Sequence, residues 1–249
     1  MKIYPKLSAM YYDVSKPVGV SLGGDLEFYY KKIKQAGSIL EAGAGTGRLL
    51  IPYLEKGLPI QGIDVSPEMV ELCKQNCIQH DVMSKVELGD VCDMVNHGLY
   101  DVIMVPTGTF CLFPKIDAVL ENFYDHLEPE GMLIFDLIYP HGFVPGSHHR
   151  STVYPDKDHT LFLEDHHEDI NWQTQTTRQF LTYELWHNTK LISKELQVFD
   201  VHWYQTESMI QKIKQTGFSR VELFGDYGET FNPEDNPEVV TVCAYKLNI

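Results

Sequence analysis

Ile39-Leu-Glu-Ala-Gly-Ala-Gly-Thr-Gly-Arg48 carries an apolar, strand-forming start into three alternating glycines. The next stretch, Gly47–Lys56, has helical apolar spacing, and Gly57 closes it. Strand, glycine turn and helix in this order have a physical use. Glycines let the backbone turn sharply and come close to a ligand, and the helix that follows offers free N–H groups. On its own the turn implies only a nucleotide-type ligand. The spacing Gly43-x-Gly45-x-Gly47 departs from the G-x-G-x-x-G of dinucleotide enzymes, and no Lys-Ser/Thr follows to make a phosphate loop.

Outward from the turn, strand and helix patterns alternate as far as Pro140. Strands are expected at 38–42, 59–64, 85–88, 100–105 and 131–136, with Pro129-Glu-Gly131 as a turn. Helices are expected from Pro67 towards Cys77, with Ser66 as N-cap, and over 116–127. This order implies a parallel sheet covered by helices on both faces, an α/β fold. Residues 141–158, rich in His, Gly, Pro and Ser, are expected to be a loop. Three strand-like runs follow, at 160–172, 176–187 and 191–204, with a hairpin turn at Asn188-Thr-Lys190. Phe180, Tyr183 and Leu185 break strict alternation, so a bulge is expected there. A helix over 207–216 stops at Gly217, and strands at 220–224 and 239–246 end the chain. The expected division is 1–140 with 205–249 as a ligand-binding domain, and 141–204 as an antiparallel insert covering the site.

Two acidic residues sit beside the glycine turn. Asp64 ends the second strand, where a carboxylate can accept both hydrogen bonds of a ribose diol. Ser66 already serves as helix cap, which leaves Asp64 for a ligand. Asp90-Val91 follows the third strand, where either Asp90 accepts from an adenine amino group and Val91 packs on the ring, or the pair belongs to a surface turn. The 249 residues carry a formal net charge of -15, which argues against a nucleic-acid partner and for neutral or cationic substrates. The five cysteines show no C-x-x-C spacing, as expected of free thiols in a reducing cytoplasm, and Cys73 and Cys77 share a helix face and should be buried. No apolar run is long enough to span a bilayer, and the amino-terminal residues lack the apolar core of a signal peptide.

Jointly, Ile39–Arg48, Ile63-Asp-Val-Ser-Pro-Glu-Met69, Gly89-Asp90, Tyr100-Asp-Val-Ile103 and Leu127-Glu-Pro-Glu-Gly-Met-Leu133 resemble class I S-adenosylmethionine-dependent methyltransferases. The resemblance covers most of residues 38–138. Thr216-Gly-Phe218 and the last two strands resemble that family's end, and the kind resembled is the small-molecule glycine N-methyltransferase-like and amino-sugar N-methyltransferase-like enzymes. The resemblance implies a Rossmann-like seven-stranded sheet, mostly parallel with its last strand antiparallel, and an antiparallel β insert after the fifth strand. It implies S-adenosyl-L-methionine as cofactor and a small-molecule methyl acceptor, at an amine or a hydroxyl, and leaves a homodimer open. Glu41 and the backbone of Gly43, Ala44, Gly45, Thr46 and Gly47 would hold the methionine part. Asp64 would bind the ribose, Val65 and Met69 would pack on the adenosine, and Asp90 and Val91 would read the adenine. Val105 and Pro106, in Val105-Pro-Thr-Gly108, would lie near the sulfonium. Arg48 would pair with the cofactor carboxylate, with Glu41, or within a structural ion pair. Tyr11 or Tyr12, in Met10-Tyr-Tyr-Asp13, would bound the methionine end or pack the N-terminal helix. The Asn/Asp-Pro-Pro-Tyr motif of nucleic-acid amino methyltransferases is absent.

Methyl transfer to a positioned acceptor needs neither a nucleophilic cysteine nor a metal. Tyr139 and His141, after the fifth strand, are the catalytic candidates for touching the acceptor or taking its proton, and Asp136 either joins them or anchors the loop. The insert offers His166, His167, Arg178, Tyr183, Trp186, His202 and Trp203 as a cationic-amine cage or as packed sheet face. Adjacent His166 and His167 point to opposite faces of a strand, and no zinc-ligand spacing is present, so no metal site is expected. The competing readings are a nicotinamide-dependent oxidoreductase and a non-catalytic S-adenosylmethionine-binding protein.

Overall fold

The first strand, β1 (Ile39–Ala42), is buried along its whole length, as the centre of a sheet covered on both faces requires. In the computed structural model, which describes residues 4–94, 98–113 and 115–247, two helices precede it, α1 (Lys6–Ser15) and α2 (Asp25–Ile33). After β1 come α3 (Leu50–Glu55), β2 (Ile60–Asp64), α4 (Pro67–Gln79), β3 (Val86–Leu88), β4 (Tyr100–Val105), α5 (Ile116–Asp125) and β5 (Leu127–Ile138). Then follow β6 (His148–Val153), β7 (His159–Asn171), β8 (Thr176–His187), β9 (Lys190–His202), α6 (Thr206–Thr216), β10 (Arg220–Gly225) and β11 (Val239–Tyr245). Residues 1–3, on which part of the signal-peptide expectation rests, lie outside the described residues.

Seven strands form one sheet in the order β10-β11-β5-β4-β1-β2-β3. β1 to β5 run parallel, and β11 pairs antiparallel with both β5 and β10. Chain order reverses between β1 and β4, so a crevice opens beyond their carboxyl ends, where open α/β sheets bind ligands. Successive residues face opposite layers. Leu40, Ile103 and Phe135 pack towards α5 and α6 with Phe123 and Ile213. Ile39, Val102 and Ile134 pack towards α2, α3 and α4 with Tyr29, Ile51, Cys73 and Cys77. Both cysteines are fully buried, as their shared helix face implies.

The four strands β6 to β9 form a separate antiparallel sheet. The hairpin between β8 and β9 turns at Asn188, with φ 52°, and the expected irregularity is a register shift between Leu185 and Trp186. Two expectations differ. β6 lies inside the supposed loop: its six residues, His-His-Arg-Ser-Thr-Val, are nearly all exposed, so no apolar alternation marks them. The supposed turn at 129–131 is an irregularity within β5, with Glu130 at φ 67° and the β4 pairing shifted between Tyr100 and Val102. Among the described residues, no helix is long and apolar enough to cross a membrane.

The glycine turn is locked to the helices beneath it. Gly47 has φ 88°, and a Cβ there would lie 2.8 Å from Ile51 Cδ1 and 2.9 Å from Cys73 Sγ. Gly47→Ala therefore combines left-handed strain with overpacking and is expected to lower unfolding stability by about 1–3 kcal/mol. A urea denaturation series measures this, and an unchanged midpoint would contradict the packing described.

Candidate active site

The turn after β1 is tied to β2: the N–H groups of Gly43 and Ala44 both donate to Ile63 O, at 2.8 and 3.1 Å. Gly45, at φ 56°, donates its N–H to Asp64 Oδ2 at 2.8 Å, and no atom lies within 4 Å of where its Cβ would stand. Asp64 Oδ1 accepts from Ser66 N–H at 2.9 Å, while Ser66 Oγ accepts from Met69 N–H at 3.3 Å. Ser66 is thus the cap of α4, and Asp64 is a buried carboxylate held by backbone donors, with lone pairs to spare on both oxygens. Burial raises its pKa against the pull of those N–H groups.

Gly43, Gly45, Asp64 and Met69 form one side of a cavity of about 320 Å³. Thr107, Gly108 and Thr109, which follow β4, form its base at the crevice. Tyr4, Ser8, Tyr11, Tyr12 and Lys16 close it from the α1 side. The remaining wall comes largely from the insert, through Leu163, Leu181, Tyr183, Phe199 and Val201.

α1 is the piece that joins these walls. Its Leu7 N–H donates to Glu195 Oε2 at 2.7 Å, and Ser8 Oγ to Gln197 Oε1 at 2.8 Å, both on β9. Tyr11 OH donates to Ser151 Oγ on β6 at 2.7 Å. On the other flank, Asp13 Oδ1 accepts from Asn76 Nδ2 of α4 at 2.7 Å, and Ser66 Oγ donates to Tyr4 O at 3.1 Å. Leu7 packs with Leu161, Leu181 and Tyr183 in a small core of its own.

Behind the turn lies a buried polar network. Arg48 Nη2 meets Asp25 Oδ2 at 2.5 Å with both side chains nearly inaccessible. The same guanidinium donates to Val20 O at 2.8 Å and Thr107 Oγ1 at 2.6 Å. Arg48 thus forms a structural ion pair with Asp25. Thr107, at φ 56°, donates its N–H to Asp136 Oδ2 at 2.6 Å. Asp136 also accepts from Thr241 Oγ1 at 2.7 Å and Tyr227 OH at 3.0 Å. Burial outweighs these donors and pushes its pKa up to about 6. Asp136 is the loop anchor.

Glu41 is buried, and its Oε2 has no hydrogen-bond partner. Burial pushes its pKa up to about 8, Arg48 pulls it down and Asp64 adds to the rise. Burial likewise raises the pKa of Tyr12, opposed by the neighbouring Arg48.

Other expected residues fall elsewhere. Val65 is exposed, Asp90 is exposed with its Oδ1 accepting from Cys92 N–H at 2.9 Å, and Val91 is buried in the core on the α5 side. Val105 and Pro106 are buried just behind the cavity, and its surface begins one residue later at Thr107. Ala44 and Thr46 are buried, Thr46 O accepting from Asn76 Nδ2 at 3.0 Å. Tyr139 and His141 line a separate depression, where Tyr139 OH meets Thr206 Oγ1 at 2.7 Å and His141 Nε2 lies 3.3 Å from Pro237 O. Of the insert candidates, Tyr183 alone lines the main cavity. His166 and His167 do face opposite ways: His167 stacks on Phe143 at 4.2 Å, and His166 Nδ1 meets His148 Nε2 at 2.9 Å. Among the described residues no group of three or more His, Cys, Asp or Glu could hold a metal ion. Sequence reasoning missed Lys16, Ser8, Leu163, Leu181, Phe199 and Val201. The insert members were available as period-two positions, 161 and 163, 181 and 183, 199 and 201.

A family profile described as "Methyltransferase domain" matches residues 39–131. Glycine/sarcosine N-methyltransferase of Aphanothece halophytica is 24% identical over 232 residues, covering 88% of this chain and 81% of that protein. The sugar N-methyltransferase KedS8 of a Streptoalloteichus species has the same fold, with a TM-score of 0.76 at 17% identity over 99% and 95% of the two chains. CalS10, an amino pentose methyltransferase of Micromonospora echinaspora solved with S-adenosylmethionine, gives a TM-score of 0.70 at 14% identity over 98% of each chain. The residues present fit that molecule. Glu41 Oε2 is an orphaned buried acceptor for an ammonium, Gly45 leaves its side-chain position empty, and Asp64 can take a ribose diol. With this glycine turn, this carboxylate and this strand order, the chain is an S-adenosylmethionine-dependent methyltransferase with the class I fold, and it is similar to the small-molecule enzymes of that kind.

Proposed function

We propose that the chain methylates the nitrogen of a small-molecule amine. The observation that carries the choice of nitrogen is the lack of a base in the cavity wall. No His, Cys or Glu is among its described lining residues, and its one carboxylate, Asp64, is engaged by two backbone N–H groups. Three of its tyrosines are held protonated by burial, which raises Tyr4 and Tyr12 and pushes Tyr183 up to about 12. A hydroxyl acceptor gains from a base, whereas an amine needs only to arrive neutral. The names of the relatives point the same way, and the charge of -15 favours an acceptor other than nucleic acid.

S-adenosylmethionine, when bound, supplies an electrophilic methyl on a sulfonium. The chain's own residues bind, orient and exclude water. Asp64 takes the ribose hydroxyls and Glu41 the methionine ammonium, with Val65, Asp90 and Val91 assigned to the adenine end. Burial and the nearby Arg48 lower the pKa of Lys16 while Asp25 raises it; pairing with the methionine carboxylate is what keeps its ammonium charged rather than free to act as base. Tyr11, Tyr12 and Tyr183 border the acceptor. Residues 141–204 serve as the cover of the acceptor site over a cofactor domain of 1–140 and 205–249. Five free cysteines support a cytoplasmic setting.

Asp64→Ala should weaken S-adenosylmethionine binding by about 1–3 kcal/mol in calorimetry, with NAD showing no binding to either form. Unchanged affinity would take Asp64 out of the site. Glu41 holds its proton below about pH 8 in the free chain and must release it to pair with the ammonium. Affinity should therefore climb with pH between about 6 and 7.5, by up to ~10-fold per unit. Glu41→Gln should flatten that slope; a slope that survives the substitution rules out this pairing. With no base in the wall, kcat/KM should rise with pH and level off at the acceptor's own pKa. Two acceptors of different basicity giving the same profile would count against an amine entering neutral.

A further inference from the structure

The cavity wall opposite the glycine turn offers no cation that could pair with an anion. Leu163, Leu181, Phe199 and Val201 of the insert build it, and its polar groups are the hydroxyls of Ser8, Tyr11 and Tyr183. Lys16 is the one cation among the described lining residues. It stands on the Asp25–Arg48 side, with Nζ 4.8 Å from the Tyr12 ring centre. All four arginines are committed elsewhere. Arg48 is paired with Asp25, Arg150 with Glu164 at 3.0 Å and Arg178 with Asp200 at 2.7 Å, while Arg220 lies 3.8 Å over the Tyr245 ring.

A carboxylate or phosphate brought against such a wall loses its water and finds no cation, which is strongly unfavourable. Guanidinium groups, the usual partners of buried carboxylates and phosphates, are missing where one would be needed. An aromatic or alkyl body gains by burial on the same surface, and the tyrosine faces favour a cationic methylated product. Resting on the amine reading above, we propose that the acceptor is an amine carried on an apolar, aromatic or alkyl body that bears neither carboxylate nor phosphate. The nitrogen lone pair forms the new N–C bond as the methyl–sulfur bond breaks. The electron pair of that bond stays on sulfur, giving neutral S-adenosylhomocysteine, and the methylated ammonium gives its proton to solvent. Amino acids and nucleotide-linked amino sugars are disfavoured by the same wall, and Leu181 and Leu163 set the selection.

The test uses the full chain with S-adenosylmethionine and follows S-adenosylhomocysteine release. The acceptors are 2-phenylethylamine, phenylalanine (the same body with a carboxylate), glycine, O-phosphoethanolamine and 2-phenylethanol. The expected kcat/KM for 2-phenylethylamine exceeds that of each charged amine by at least ~100-fold. Equal or better use of phenylalanine, glycine or O-phosphoethanolamine overturns the proposal while leaving N-methylation standing. Turnover of 2-phenylethanol with no amine accepted overturns both, and no turnover of 2-phenylethylamine overturns the proposal. Leu181→Arg should narrow the ratio of 2-phenylethylamine to phenylalanine by about tenfold or more, with S-adenosylmethionine binding as the check on folding. If that variant does not fold, Leu163→Lys is measured in the same way. An unchanged ratio in a folded variant removes the wall as the source of selection.

Discussion

The ion pair between Arg48 and Asp25 is the contact on which the site depends. It is buried on both sides, so its worth lies less in net stability than in what it fixes. Arg48 leaves the glycine turn, Asp25 starts α2, and Thr107 follows β4; the guanidinium fastens all three. Through Thr107 the fastening continues to Asp136 on β5 and from there to Thr241 on β11. Four strand ends and a helix are thereby held in one polar chain beneath the cavity. Removing one charge would leave the other stranded in the interior, which is why the arrangement tolerates no half measures.

The sheet was open to reading in the sequence because it obeys simple periodicities. Residues 39–42, 60–64, 100–105 and 132–137 are short apolar runs stopped by turn residues, and helices with one apolar face lie between most of them. Asp64 and the glycines were legible because few chemistries need that spacing. The acceptor side was less so. β6 carries no apolar alternation, and its pairing with β7 comes from tertiary contact alone. Tyr139 and His141 looked well placed because they follow a strand end on the ligand side of the sheet, yet the chain there bends away to Thr206 and Pro237. Histidines and tryptophans drew notice in the insert, while the insert's share of the cavity is Leu163, Leu181, Phe199 and Val201 with Tyr183. Chemically plain residues gave that wall its character.

α1 solves a geometric problem raised by an insert that forms its own sheet. Two sheets with separate cores enclose a space only if something spans the gap between them. α1 supplies Leu7 to the insert's small core and Asp13 to the α4 side, with Tyr4 just ahead of it held by Ser66, so one short helix and its lead-in define the distance between the two walls. Polar contacts do this at both ends, and the apolar lining is left to surround the ligands.

The orphaned oxygen of Glu41 also couples the site to folding itself. Its carboxyl titrates near 8 and that of Asp136 near 6, whereas both would ionise near 4 in an unfolded chain. Between about pH 4 and 8 the native state therefore carries protons that the unfolded state has lost, and stability falls as pH rises through that window. At neutral pH the chain takes up a proton in order to fold. Under the assignment proposed for Glu41, a ligand ammonium meeting it would hand that proton back to the solvent, and cofactor capture would relieve part of what the empty fold costs.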